Sequence, residues 1–197
     1  KTFFLKIRPE DLNLIIELEK RIHLTKYVVK TPHVPTQFCM ALRKYLSNGK
    51  ITGVGQHEFE RVVTFAVQTR EGNFKLIAEI FKRGNLILLD PEDGILHSTR
   101  YMKMRDRDII RGERFRHAPS TGVNPLKARF EDITQLEQIE RTEVVKALTK
   151  KLAIGGQYAE ETLARVNVAK ETRTDELSQT HLKAIYESVI SLAAPLT

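Results

Sequence analysis

The alternation of apolar and polar positions changes character twice along the chain. Residues 2–8 (TFFLKIR), 12–18 (LNLIIEL) and 21–25 (RIHLT) are short, rich in aromatic and branched residues, and separated by Pro9-Glu10-Asp11 and Glu19-Lys20. Such runs predict an antiparallel meander. Pro32 and Pro35 then break the extended pattern, and Phe38, Ala41, Leu42, Tyr45 and Leu46 recur at three- and four-residue spacings. This spacing predicts a helix over about 35–48, with Pro35 in its first turn and Asn48-Gly49 as its stop. Extended runs resume at 50–56, 61–69, 74–82, 85–90 and 94–101, punctuated by Glu71-Gly72-Asn73, Gly84-Asn85 and Pro91-Glu92-Asp93-Gly94, which are hairpin-grade turns.

From 102 to 124 the periodicity is lost, and Pro119-Ser120-Thr121-Gly122 with Asn124-Pro125 reads as a linker. Beyond it the period becomes helical, with Val144, Val145, Leu148 and Leu152 on one face, Tyr158, Ala159, Leu163 and Val166 on a second, and Leu182, Ile185, Val189 and Leu192 on a third. The expectation is an α+β chain. Residues 1–124 form a mostly antiparallel β domain with one embedded helix, 125–142 a linker with short helices, and 143–197 an all-α domain.

Charge sharpens this division. The 197 residues carry a formal net charge of +7, but 22 Lys and Arg against 14 Asp and Glu fall in 1–124, a net +8, and 10 against 11 in 125–197. A polyanionic partner is therefore expected for the first part. Seven basic residues lie between Arg100 and Arg116, and Arg43, Lys44, Arg61, Lys82 and Arg83 extend the set. Clustered cations of this kind suffice for contacts to a phosphate backbone, and a solvated charged face is the alternative. No stretch approaches the ~20 apolar residues of a membrane span. The single cysteine, Cys39, excludes an internal disulfide, and with no leader pattern ahead of the first strand the expectation is a reducing cytoplasm.

Catalytic chemistry is not advertised. One cysteine and six scattered histidines give no CxxC, HxxxH or HExxH grouping, so neither a metal nor a cofactor is expected. Cys39 sits between Phe38 and Met40 on the predicted helix and reads as a packed thiol. Gly53-Val54-Gly55 lacks the ending of a phosphate-binding loop and reads as tight strand geometry. The run Leu152-Ala153-Ile154-Gly155-Gly156-Gln157-Tyr158-Ala159 reads as a helix, a glycine turn and a second helix. Its glycines serve either close helix packing or the presentation of backbone N–H groups to a phosphate.

Four ordered stretches carry a family resemblance: 21–25 (RIHLT), 35–51 (PTQFCMALRKYLSNGKI), 56–61 (QHEFER) and 79–90 (EIFKRGNLILLD). Together they resemble the NFACT N-terminal domain, with wording closest to archaeal members, and residues 147–192 resemble the helix-hairpin-helix region that follows it. The resemblance implies a ribosome quality-control factor of the RqcH/NEMF, fibronectin-binding protein A-like type. Such a factor would bind the obstructed large ribosomal subunit and a tRNA, commonly tRNA-Ala, while the subunit itself adds alanine to the stalled chain. It also implies an N-terminal fold similar to that of formamidopyrimidine-DNA glycosylases.

The family's functional Asp-Arg pair falls on Glu60-Arg61, with glutamate in place of aspartate. The expected nucleic-acid-binding residues are Glu60, Arg61, Arg43, Lys44, Arg83, Arg105 and Arg107, with Gly155 and Gly156 as the helix-hairpin-helix turn. Family members carry a further helix and strand before the residue corresponding to Lys1, and a coiled coil and RNA-binding domain later, so a fragment is expected. The competing function is a glycosylase-like DNA-repair enzyme; it would need an N-terminal Pro-Glu and four zinc-binding cysteines, and Lys1-Thr2 and one cysteine supply neither. An adhesion protein is a third reading, disfavoured by the same leader argument.

Overall fold

The structure is a computed structural model. It describes residues 1–8, 11–28, 30–120, 122–139 and 141–196, the last by its backbone. Pro9 and Glu10 of the first expected turn and Thr121 of the expected linker lie outside these. The chain divides into two compact units, 1–57 with 61–118 and 58–60 with 119–197.

The first unit opens with an antiparallel meander of β1 (Thr2–Ile7), β2 (Leu12–Glu17) and β3 (Arg21–Thr25). Helix α1 spans Gln37–Leu46. Its N-cap is Thr36, whose hydroxyl accepts from Cys39 N and satisfies one of the amides a helix start leaves unpaired. Pro35 therefore precedes the cap instead of lying in the first turn, because the hydroxyl beside it makes the better cap. A five-stranded antiparallel sheet follows, in the order β4 (Lys50–Gln56), β5 (Val62–Gln68), β6 (Asn73–Glu79), β7 (Leu86–Leu89) and β8 (Ile95–Ser98). Strand β4 lies at its edge and is exposed along its length. A Cβ at Gly55 would meet nothing within 4 Å, and one at Gly53 would make only ordinary contact, so crowding does not explain these glycines.

The run Leu86-Ile87-Leu88-Leu89 is buried at every position. A strand points alternate side chains to opposite faces, and both faces are covered here. Leu86 and Leu88 join Leu14, Ile16, Phe38, Leu42 and Phe65 in one cluster. Ile87 and Leu89 join Ile77, Ile95 and Ile109 in another, with Phe81 and Phe115 against it. Each fully buried Ile or Leu contributes roughly 1.5–3 kcal/mol over exposure.

The second cluster corrects the expectation for 102–124. The Arg-rich stretch contains a short hairpin, β9 (Met102–Lys103) with β10 (Asp108–Ile109). Ile109 is fully buried, and Phe115 packs beside it against the sheet. Two apolar anchors among many charges are too few to make a period, yet they suffice to hold the segment.

The second unit is helical: α2 (Phe130–Thr134), α3 (Val144–Lys151), α4 (Gly156–Arg165) and α5 (Gln179–Ala193), with short 3₁₀ turns at Pro125–Lys127, Gln135–Gln138, Thr174–Glu176 and Ala194–Leu196. The stretch 125–142, expected as a linker, contributes Ala128, Ile133 and Leu136 to its core. Ile133 and Leu136 are fully buried with Val144, Leu148, Leu163, Leu182 and Ile185. Helices α3 and α4 form the expected pair around Leu152–Gly155, but Tyr158 is 63% exposed, and Ala159, Thr162 and Leu163 form the buried face.

Candidate nucleic-acid interface

The residues singled out for nucleic-acid contact lie mainly in connections between strands. Glu60 and Arg61 occupy the link from β4 to β5, where His57 N–H donates to the Val62 carbonyl at 2.9 Å and closes the loop. Glu58 within it takes a positive φ of 46°. The Arg61 carbonyl accepts from Ile80 N at 2.8 Å, which fixes its backbone while the side chain stays exposed. Residues 58–60 group with the second unit, where Ser120 Oγ donates to Glu60 Oε1 at 3.4 Å, and Lys127 Nζ lies 2.8 Å from Glu58 Oε2.

Arg43 and Lys44 are exposed in the last turn of α1, a position where cations also suit the helix dipole. The Lys44 ammonium lies 5.0 Å from the centre of the Tyr45 ring, and that ring lies 6.4 Å from His97 on β8. The His97 imidazole titrates below its ordinary value, chiefly because burial disfavours its charged form, and further because Arg111 and Lys44 repel it. The structure thus gathers Lys44, Arg111 and His97. Sequence pattern did not single out His97, because nothing local marks a strand histidine as facing two cations.

Arg83 takes a positive φ of 63° in the β6–β7 turn. Its N–H donates to Glu19 Oε1 at 2.8 Å, and its carbonyl accepts from Arg100 Nη1 at 3.4 Å. Behind it, fully buried Asn85 uses both ends of its amide. Nδ2 donates to the Arg100 carbonyl at 2.7 Å, while Oδ1 accepts from Ser98 Oγ, Thr99 Oγ1, Leu86 N and Arg100 N. A buried amide with every group paired holds its neighbours in one arrangement. Arg83 and Arg100 are accordingly presented from a rigid turn.

Arg105, in the β9–β10 turn, is exposed. It borders a cleft of about 310 Å³ that also takes in Arg107, Arg114 and Arg116 with Asp106, Asp108 and Glu113. Arg107 does not stand with the surface cations. Its side chain is 5% exposed, with Nη1 2.6 Å from Oε1 of Glu79, itself 1% exposed. Nη1 also donates to the Arg116 carbonyl at 3.2 Å, and the guanidinium lies 5.9 Å from the centre of the Phe115 ring. The expectation of Arg107 as a nucleic-acid contact is corrected on this ground: its charge is spent inside the unit.

Gly155 is the N-cap of α4 and Gly156 its first residue, both exposed. Neither has a positive φ. A Cβ at Gly156 would meet nothing within 4 Å, and one at Gly155 only Tyr158 at 4.0 Å. Close helix approach therefore does not require them. No group of three or more metal-ligating side chains occurs among the described residues, and none of their helices is long and apolar enough to cross a membrane.

Fold and surface define an α+β protein that presents cations from the connections of an antiparallel sheet. The family described as NFACT N-terminal and middle domains matches residues 1–197, and the chain belongs to it. It is 34% identical over 90% of its length to the Archaeal Rqc2 homolog aRqcH of Methanocaldococcus jannaschii, covering 27% of that protein. Against the Ribosome quality control complex subunit NEMF of Homo sapiens it is 27% identical over 98% of its length, covering 18% of that protein. The chain thus spans about a quarter or less of these relatives. Among solved structures, the N-terminal part of the fibronectin/fibrinogen-binding protein from Streptococcus suis shares the fold with a TM-score of 0.67 and 23% identity, over 95% of this chain and 72% of that one.

Proposed function

We propose that this chain is the tRNA-binding part of a ribosome quality-control factor. In the whole protein it would hold a tRNA, tRNA-Ala above others, against a large ribosomal subunit obstructed by a stalled nascent chain. Alanine addition would be the work of the subunit, and the chain itself would act in the cytoplasm by binding, without catalysis. The observation that carries this reading is the family match along the entire chain together with relatives named for ribosome quality control. The surface supports it: Arg43, Lys44, Arg61, Arg83 and Arg105 are all exposed and free of the burial that removes Arg107.

Arg61 is the central contact in this reading. Its fork of donors suits a phosphate or a base edge, with Glu60 beside it to accept from a ribose hydroxyl. The Gly155-Gly156 turn offers backbone N–H groups as an auxiliary contact. Fluorescence-anisotropy titration of this chain with purified tRNA, against damaged DNA duplex as competitor at ~50 and ~200 mM salt, tests the proposal. Expected are a preference for tRNA, weakening with salt as counterions are released, and a large loss in Arg61→Ala. Equal binding of both nucleic acids, or an Arg61→Ala variant that binds tRNA like the parent, would overturn it.

A further inference from the structure

We propose that His57 and His117 form a proton-sensitive clasp that holds the 58–61 loop in its RNA-binding shape. The two imidazoles stack face to face, with ring centres 3.6 Å apart and planes within 4°. Phe115 meets His117 edge-on at 5.0 Å and completes an aromatic stack. His57 is also the residue whose N–H closes the loop onto Val62. One residue thus joins the loop's closing hydrogen bond to a ring contact sixty residues away in sequence, which makes His117 a positioning residue for Arg61. The proposal rests on Arg61 being an RNA contact.

The clasp uses histidine where an aromatic hydrocarbon would pack as well. Nδ1 of His117 is buried and has no hydrogen-bond partner among the described residues, a polar group held at a cost. Two charged groups bear on the ring besides His57: Arg107, itself paired to Glu79, and Asp93, which also takes Lys75 Nζ at 2.7 Å. Burial, then His57, then Arg107 hold the His117 imidazole below its ordinary titration range, with Asp93 opposing them. The neutral ring is therefore the form that stacks. A proton on it places a desolvated cation against His57 and Arg107. The clasp is closed above the ordinary histidine range and opens as pH falls through the depressed one.

Binding of tRNA is measured from about pH 7.5 to about pH 5.5, the span over which histidine changes charge, for the parent chain, His117→Phe and His117→Ala. The parent is expected to lose about fivefold or more in affinity on acidification, against the trend that added positive charge sets. His117→Phe, which keeps the ring and removes the proton, should bind like the parent at neutral pH and keep that affinity in acid. His117→Ala should bind weakly throughout. A His117→Phe profile that follows the parent, or a His117→Ala variant that binds like the parent at neutral pH, would overturn the clasp. If tRNA binding is absent or indifferent to Arg61→Ala, the function above fails, and amide hydrogen exchange over 58–62 then decides the clasp alone. Protection lost in acid by the parent and retained by His117→Phe sustains it, and protection equal at both pH values in the parent refutes it.

Discussion

In the first unit the deepest polar groups are an ion pair, Glu79 with Arg107, and an asparagine, Asn85. In the second they are hydroxyls. Thr162 donates to the Tyr158 carbonyl, Ser188 to that of Thr162, and Thr174 to that of Ile139. The hydroxyls answer main-chain oxygens within a helical core and need no charge. The ion pair and the amide add polar ties between the sheet and the segments 98–100 and 107–116, beside the apolar anchors Ile109 and Phe115. Buried polarity is found where exposed cations must be presented from turns, and it is mild where apolar helix faces suffice.

The largest expected effect breaks that contrast directly. Arg107→Ala leaves the Glu79 carboxylate buried without a counter-ion and should destabilise the first unit by about 3–5 kcal/mol, with the second unit unchanged, as read by denaturant titration followed by NMR signals from each. The paired replacement Glu79→Leu with Arg107→Met removes both charges and should recover most of the loss. A smaller effect comes from pH. His97 and His117 both have folded values depressed below 6.5, so the unfolded chain binds more protons between the two values. Their contribution is fully present above 6.5 and is lost as pH falls through the depressed values, so the first unit's melting temperature should drop on acidification, and His97→Phe with His117→Phe should flatten the profile. Smallest is Gly156→Ala, which should stabilise the second unit by about 0.4–1 kcal/mol in thermal melts, since no contact and no positive φ demands glycine there.

Most of the fold was legible because most of it is periodic. The apolar, branched and aromatic runs of β5 and β6 and the helical spacing of Phe38, Ala41 and Leu42 report buried positions, and turns such as the one at Asp93 (φ 67°) carry their own residue chemistry. Where the anchors are single residues, the pattern is silent. Ile109 holds β10 without a repeating neighbour, and Ile133 with Leu136 brings part of the expected linker into a core that Pro125 and the preceding Asn124 disguise. Arg107 shows the limit of reading charge by composition. It lies among the seven basic residues of its run, and its pairing with the carboxylate of Glu79, 28 positions earlier, is not visible in that run. The His57 and His117 stack was equally invisible, being a contact across distant sequence that no motif announces.

The hydrogen bonds that Asn124 and Lys127 make to Glu58 reach across 66 and 69 residues, and they bear on the order in which the protein is built. A chain leaves the ribosome from its N-terminus, and compact units form as they emerge. The strands of the first unit can pair once residue 118 is free, whereas the contacts of Asn124 and Lys127 to Glu58 form only after those residues are made. The second unit therefore starts, in sequence, inside the first and is finished last. A fragment cut at 118 would keep its sheets and lack the contacts that Asn124 and Lys127 make to Glu58.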